Sequence, residues 1–235
     1  MSSIVTQEDI LSVRADAAVL GLEMTMSVAE SPVGLRLAEA GGAALREAIR
    51  RQRFLAVGSA AAAGNCGLPF GQLLLTAIPR WLTGKANELL ALRRCYESVF
   101  SLAESLGCCR LASPFLSAQY YHFPQAEAVH IALTAAEQTG LEVLFLAETP
   151  ALFALSAQPY RRPQIVSYIG YYRDHALFEL DNGLFARVDL RPEIRETAMI
   201  PYFEACYRAG NNPLQPPLPE AEITRLRHIW ESSIW

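Results

Sequence analysis

The sequence predicts an α/β layered fold over residues 1–157, joined to an α+β extension over residues 158–235. Three observations carry this. Up to about residue 157, short apolar runs alternate with longer stretches whose charges recur at helical spacing, the signature of strands and helices packed in layers. Beyond Gln158-Pro159 the character shifts to aromatic-rich strand patterns around a tight-turn signal. At 235 residues and 51% hydrophobic, the chain is long enough for a substantial core and an appendage.

The elements follow in order. Ala17-Ala18-Val19-Leu20 reads as a short buried strand after the exposed Arg14-Ala15-Asp16. Gly34 to Arg53 is alanine-rich, with Arg36, Glu39, Arg46, Glu47 and Arg50 at helical spacing. Leu73 to Ile78 is a strand between the breakers Pro69 and Pro79. Asn87 to Leu106 is a long helix stopped by Gly107, and Arg110 to Ser113 the next strand. Pro124 to Gly140 is a helix with proline at its start and glycine at its end, followed by the central strand Leu141 to Leu146. A boundary falls at Ser156–Pro159. Beyond it, Gln164 to Tyr172 and Ala176 to Leu190 are strands, and Asp181-Asn182-Gly183 turns a β-hairpin. Both Asn182 and Gly183 tolerate the positive φ of a primed turn. Ile194 to Ala209 reads as a helix whose apolar stripe (Ile194, Ala198, Tyr202, Ala205, Ala209) would cover the hairpin. Leu214 to Pro219 is a proline-rich linker, and Pro219 to Trp235 a last helix with Glu220 and Glu222 in its first turn. The strands around Tyr168, Tyr171, Tyr172, Phe178 and Phe185 are too apolar to be left in water, so the extension is expected to pack on the first domain. Alternatively, part of this aromatic region serves a protein partner, with Trp230 and Trp235 as anchors.

Composition excludes several classes. A net charge of −4 argues against a protein that grips nucleic acid by bulk positive charge. No apolar run reaches the length of a membrane-spanning helix, and the N-terminus shows no secretion-signal pattern, so no membrane association is expected. Five scattered cysteines, an odd number, suit reduced thiols in the cytoplasm. The four histidines (His122, His130, His175, His228) have no metal-ligand spacing, and Cys108-Cys109 point apart at a helix-strand junction, so neither metal nor cofactor is expected. No serine sits in a nucleophile-elbow context.

Four stretches, in order and almost without gaps, resemble the macrodomain family, which binds ADP-ribose and in some branches hydrolyses ADP-ribosyl bonds or O-acetyl-ADP-ribose. Glu8-Asp9-Ile10 followed by Ala15 to Val19 resembles the opening "GDI…VDAIV". Gly34 to Gly41 resembles "GAIHRAAG". Gly58 to Pro69, then Leu75-Thr76-Ala77-Ile78-Pro79-Arg80-Trp81, resembles "GxAxxTxGYxLP" followed by "HTVGPxW". Ser113 to Pro124 resembles "FPAISTGIYGYP". The resemblance covers about the first 155 residues and implies a three-layer α/β/α sandwich with a mixed sheet.

It also implies a ligand site built from Asp9, Ile10, Gly34, Ser117, Gln119, Tyr120, Tyr121, His122 and Phe153. Asp9 stands where the family hydrogen-bonds the adenine amine, though it could equally cap the turn before Ile10. Phe153 is the candidate to stack on adenine, against core packing. The family's diphosphate lies on backbone N–H groups of two glycine-rich loops, one opening a helix. Here the first reads Val28-Ala29-Glu30-Ser31-Pro32-Val33 before Gly34, and the second has Gln119 and His122 in place of glycines. His122 could contact a phosphate when protonated, or be a surface histidine. The "NAAN" signature that orients ribose and water reads Leu20-Gly21-Leu22-Glu23, and Leu75 replaces the histidine of "HTVGP". Leucine neither donates nor accepts a hydrogen bond. Glu23 and His122 remain the candidate catalytic groups, Glu23 as a general base or else a solvated loop residue. Three readings stay open: a module that binds ADP-ribose, a related nucleotide or an ADP-ribosylated protein without efficient hydrolysis; an atypical ADP-ribosyl hydrolase; and a scaffold acting through protein contacts.

Overall fold

A computed structural model of the chain describes residues 3–81, 88–120, 122–172, 175–190, 197–201 and 218–232. Two compact units emerge, Met1–Trp81 with Ala91–Tyr160 and Leu82–Leu90 with Arg161–Trp235.

The first unit holds strands β1 (Ser3–Thr6), β2 (Ala17–Leu22), β3 (Ala60–Ala62), β4 (Gln72–Ala77), β5 (Arg110–Pro114) and β6 (Glu142–Leu146) in one sheet, ordered β1-β6-β5-β2-β4-β3. All neighbours pair parallel except β3, which runs antiparallel to β4. The sheet is therefore mixed. Its helices are α1 (Pro32–Gln52), α2 (Glu88–Ser105, of which it holds the part from Ala91 on), α3 (Gln125–Glu137) and α4 (Pro150–Ser156).

Every residue of β2 is buried, as a central parallel strand covered on both faces requires. On one face Ala18, Leu20 and Leu22, in register with Leu73, Leu75 and Ala77 of β4, share a core with Leu37, Leu45 and Ile49 of α1. On the other face the Tyr96 ring of α2 meets Phe145 of β6 edge-on, centroids 6.1 Å apart, and Phe115 stacks on Phe145 at 4.9 Å. The β2-to-β4 and β4-to-β5 crossovers run in opposite directions along the sheet, so right-handed connections place α1 and α2 on opposite faces. The result is the three-layer sandwich.

Some elements carry little sequence signal. Ala60-Ala61-Ala62 is made of good helix formers, and its strand state comes from pairing with β4. For α4 the signal is local: Thr149 caps the amide of Leu152, and Pro150 sits in the first turn. Helix α1 is interrupted at Gly42, where φ is 48° and ψ −127°.

The second unit is a four-stranded antiparallel sheet ordered β10-β9-β8-β7, from β7 (Ile165–Tyr172), β8 (His175–Leu180), β9 (Leu184–Asp189) and β10 (Thr197–Pro201), with helix α5 (Glu220–Ser232). The expected hairpin turns between β8 and β9. Its turn is not primed, however: of the three turn residues only Gly183 takes a positive φ (79°), and its N–H donates to Leu180 O at 3.1 Å. This is a three-residue loop ending in a left-handed glycine.

Two further expectations are corrected here. The helix read over Ile194–Ala209 is a strand across Thr197–Pro201, paired with β9; the remainder of that stretch lies outside the described residues. Pro201 explains it, because inside a helix it would remove a hydrogen bond and clash with the preceding turn. Trp230 is no exposed anchor. It is 1% exposed, with the Arg162 guanidinium 4.9 Å over its ring and donating to the carbonyls of Trp230 and Glu231. Trp235 lies outside the described residues.

Candidate functional site

The chain leaves β2 toward β4 on one side and β5 toward β6 on the other. Such a reversal opens a crevice at the carboxyl ends of parallel strands, where α/β sheets bind ligands. A cleft of about 360 Å³, open solvent at its mouth included, lies there. Its floor is Leu20 and Gly21 of β2 with Pro114 at the end of β5. Ile78 and Leu116 close over Gly21, their Cγ2 and Cδ2 atoms 3.3 and 3.5 Å from where a Cβ would stand. One rim is the entry to α1 (Ala29, Ser31, Gly34), and the opposite rim is the Ser117–Tyr120 loop with Glu148.

The α1 rim is built by tight capping. Ser31 Oγ accepts the Gly34 N–H at 3.0 Å, and a Cβ on Gly34 would lie 2.6 Å from the Ala29 carbonyl oxygen, so only glycine fits. Glu148 Oε1 accepts the Val33 N–H at 2.7 Å. Burial raises the Glu148 carboxyl above its ordinary range, against the lowering effect of the Val33 amide and the Ser31 hydroxyl. The opposite rim hangs from the sheet. Fully buried Tyr96 accepts the Leu116 N–H on its hydroxyl at 2.7 Å, and Ser117, held at a positive φ of 63°, donates its hydroxyl to Pro79 O at 3.2 Å. Gln119 Nε2 lies 3.5 Å from Thr149 Oγ1.

Four of the residues named from sequence meet in this cleft: Gly34, Ser117, Gln119 and Tyr120. The others lie elsewhere, and Tyr121 is outside the described residues. Ile10 is in the core shared with α1. Asp9 uses both carboxylate oxygens within its own surroundings, accepting the Leu11 N–H at 2.8 Å and the Arg36 Nε at 3.0 Å. The Leu11 amide, then Arg36, hold its carboxyl below the usual range. His122 is exposed with φ 55°, and Phe153 is 39% exposed on α4; neither lines the cleft. Glu23 sits in the turn after β2, where its carboxylate accepts the Thr25 hydroxyl at 3.4 Å.

Sequence reasoning missed Glu148 and Tyr96, and named Ser31 only as part of the first loop. Glu148 had one usable signal: it stands two residues past the carboxyl end of a central strand. As for other chemistry, burial pushes the Cys95 thiol up to about 11, which disqualifies it as a nucleophile at neutral pH. Among the described residues, no group of three His, Cys, Asp or Glu side chains could hold a metal ion, and no helix is long and apolar enough to cross a membrane.

Fold and cleft together define an open α/β domain with a ligand crevice at its strand ends, bounded by a helix entry and a loop. The Macro domain family profile matches residues 22–132. "O-acetyl-ADP-ribose deacetylase 1" of Pantoea vagans is 33% identical over 133 residues, 55% of this chain and 77% of that protein. Macro domain-containing protein mll7730 of Mesorhizobium japonicum is 29% identical over 125 residues, 53% of this chain and 70% of that protein. Among solved structures, the Oceanobacillus iheyensis macrodomain with ADP superposes with a TM-score of 0.60 at 19% identity, covering 65% of this chain and 86% of that one. The chain belongs to the macrodomain family.

Proposed function

We propose that the cleft binds ADP-ribose or a related nucleotide, free or attached to a protein, and does so without efficient hydrolysis. The observation that carries this is the convergence of Gly34 with Ser117, Gln119 and Tyr120 across one crevice at the strand ends. These positions come from the two loops that, by resemblance, flank the diphosphate. The relatives' names fit the same ligand class. The absence of turnover is argued from Leu20. It forms the cleft floor where the family places a hydrogen-bonding asparagine, and an aliphatic side chain cannot orient a water.

Calorimetric titration with ADP-ribose tests the binding. Saturable one-to-one heat is expected, and its absence at millimolar ligand overturns the reading. Hydrolysis is a second reading, favoured by the 33% identity to a protein named as a deacetylase. Release of ADP-ribose from a modified protein, or acetate from O-acetyl-ADP-ribose, decides it. Robust turnover by this chain that is lost in a cleft variant would replace the binding-only proposal.

A further inference from the structure

The first-turn amides of α1 that border the cleft are already taken. Pro32 has no N–H to offer. The Gly34 N–H goes to Ser31 Oγ at 3.0 Å, and the Val33 N–H goes to Glu148 Oε1 at 2.7 Å. Glu148 comes from the other side of the cleft, 115 residues along the chain. A helix N-terminus favours a negative group through its exposed amides and dipole. In this chain the negative group is supplied from within.

We propose that Glu148 is a specificity-determining residue that occupies, with its own carboxylate, the place at the α1 entry that a ligand's phosphate would need. The inference rests on the reading of this cleft as the ADP-ribose site. A phosphate approaching this rim meets a like charge and finds the Val33 and Gly34 donors engaged. It binds only by displacing the carboxylate, and the Ser31 hydroxyl must release Glu148 at the same time. The contact therefore lowers affinity for diphosphate ligands.

The test compares the 235-residue chain with Glu148→Gln and Glu148→Ala by calorimetry, using ADP-ribose and, separately, inorganic pyrophosphate. Glutamine keeps an acceptor for Val33 and removes the charge; alanine guards against a rearranged amide. Because charge-assisted hydrogen bonds are about twice as strong as neutral ones, both variants are expected to bind ADP-ribose about ten- to a hundredfold more tightly. Unchanged or weaker affinity in both variants, with ADP-ribose binding to the unaltered chain, overturns the role of Glu148 and leaves the site reading standing. If no form binds ADP-ribose, the site reading fails and pyrophosphate decides Glu148 by itself. Pyrophosphate binding gained by the variants sustains the proposal, and none gained refutes it. Should neither variant fold, the Val33 amide resonance of the unaltered chain takes over. It is expected to shift on saturation with ADP-ribose or pyrophosphate, and a resonance left in place by a bound ligand refutes the displacement.

Discussion

Replacing Tyr96 by phenylalanine removes one oxygen from the interior and leaves the ring in place. The ring's contacts with Phe100 and Phe145, at centroid distances of 5.8 and 6.1 Å, survive the change, so no cavity of consequence forms. What is lost is the acceptor for the Leu116 N–H at 2.7 Å, in a bond whose partners are buried. A buried donor left without a partner costs about 1–3 kcal/mol. Charge does not enter at neutral pH, because burial holds the phenol well above its ordinary value. Urea unfolding of Tyr96→Phe should therefore show about 1–3 kcal/mol less stability with an unchanged m-value. Leu116 opens the loop that forms one rim of the cleft, so ADP-ribose affinity should fall together with stability. A loss below about 0.5 kcal/mol would mean that Leu116 finds another acceptor and that the sheet does not hold the loop through Tyr96.

Other perturbations probe the same architecture. Asp16 Oδ2 accepts the Cys109 and Arg110 amides at 2.7 and 2.8 Å, and these bonds, Arg110 first, hold its carboxyl below the usual range. A lowered folded value gives stability above the unfolded pKa that disappears as pH falls through the folded one. Asp16→Asn should thus cost about 0.5–1 kcal/mol at neutral pH, discounted for exposure, and nothing in strong acid; an equal cost at both would refute the charge-based account. Gly34→Ala drives a Cβ to within 2.6 Å of the Ala29 carbonyl, so the α1 entry must shift, and both thermal stability and ligand affinity should drop. His122 holds a left-handed φ of 55°. His122→Gly should be neutral or stabilising by up to about 1 kcal/mol, whereas His122→Val should destabilise by about 1–2 kcal/mol in the same denaturation assay.

Much of the first unit was legible because its signals are local. The apolar runs at 17–20, 73–78 and 141–146 each became a strand at the centre of the sheet, and the helices between them follow from spacing and caps. Where legibility failed, the deciding interaction was distant or a local veto was overlooked. The alanines of β3 become a strand only because β4 offers an edge. The stretch around Thr197 has helical apolar spacing, yet Pro201 forbids a helix interior, and the free edge of β9 takes up the segment instead. The site divided along the same line. Gly34 and the Ser117–Tyr120 loop could be found from motif order, whereas the place of Glu148 two residues past β6 does not reveal its partner Val33, 115 positions away.

The α1 entry keeps one glycine, Gly34, where the resemblance implies a glycine-rich loop, and its polar rim argues against simple decay of the cleft. A site that has closed for good would be expected to fill with apolar side chains, as the cleft does around Gly21 at Leu20, Ile78 and Leu116. At the α1 entry such filling would strand the Val33 amide, at about 1–3 kcal/mol for a buried donor without a partner. Glu148 answers that need, yet a carboxylate is an expensive way to do so, since burial raises its pKa and works against the charge. A serine or a backbone carbonyl could cap the same amide without that cost. What the carboxylate adds is reversibility: a hydrogen-bonded side chain at the edge of a solvent-connected cleft can leave, while a packed leucine cannot. The α1 entry holds its Val33 and Gly34 amides on side-chain acceptors, and the Glu148→Gln titration measures how tightly the carboxylate keeps its place.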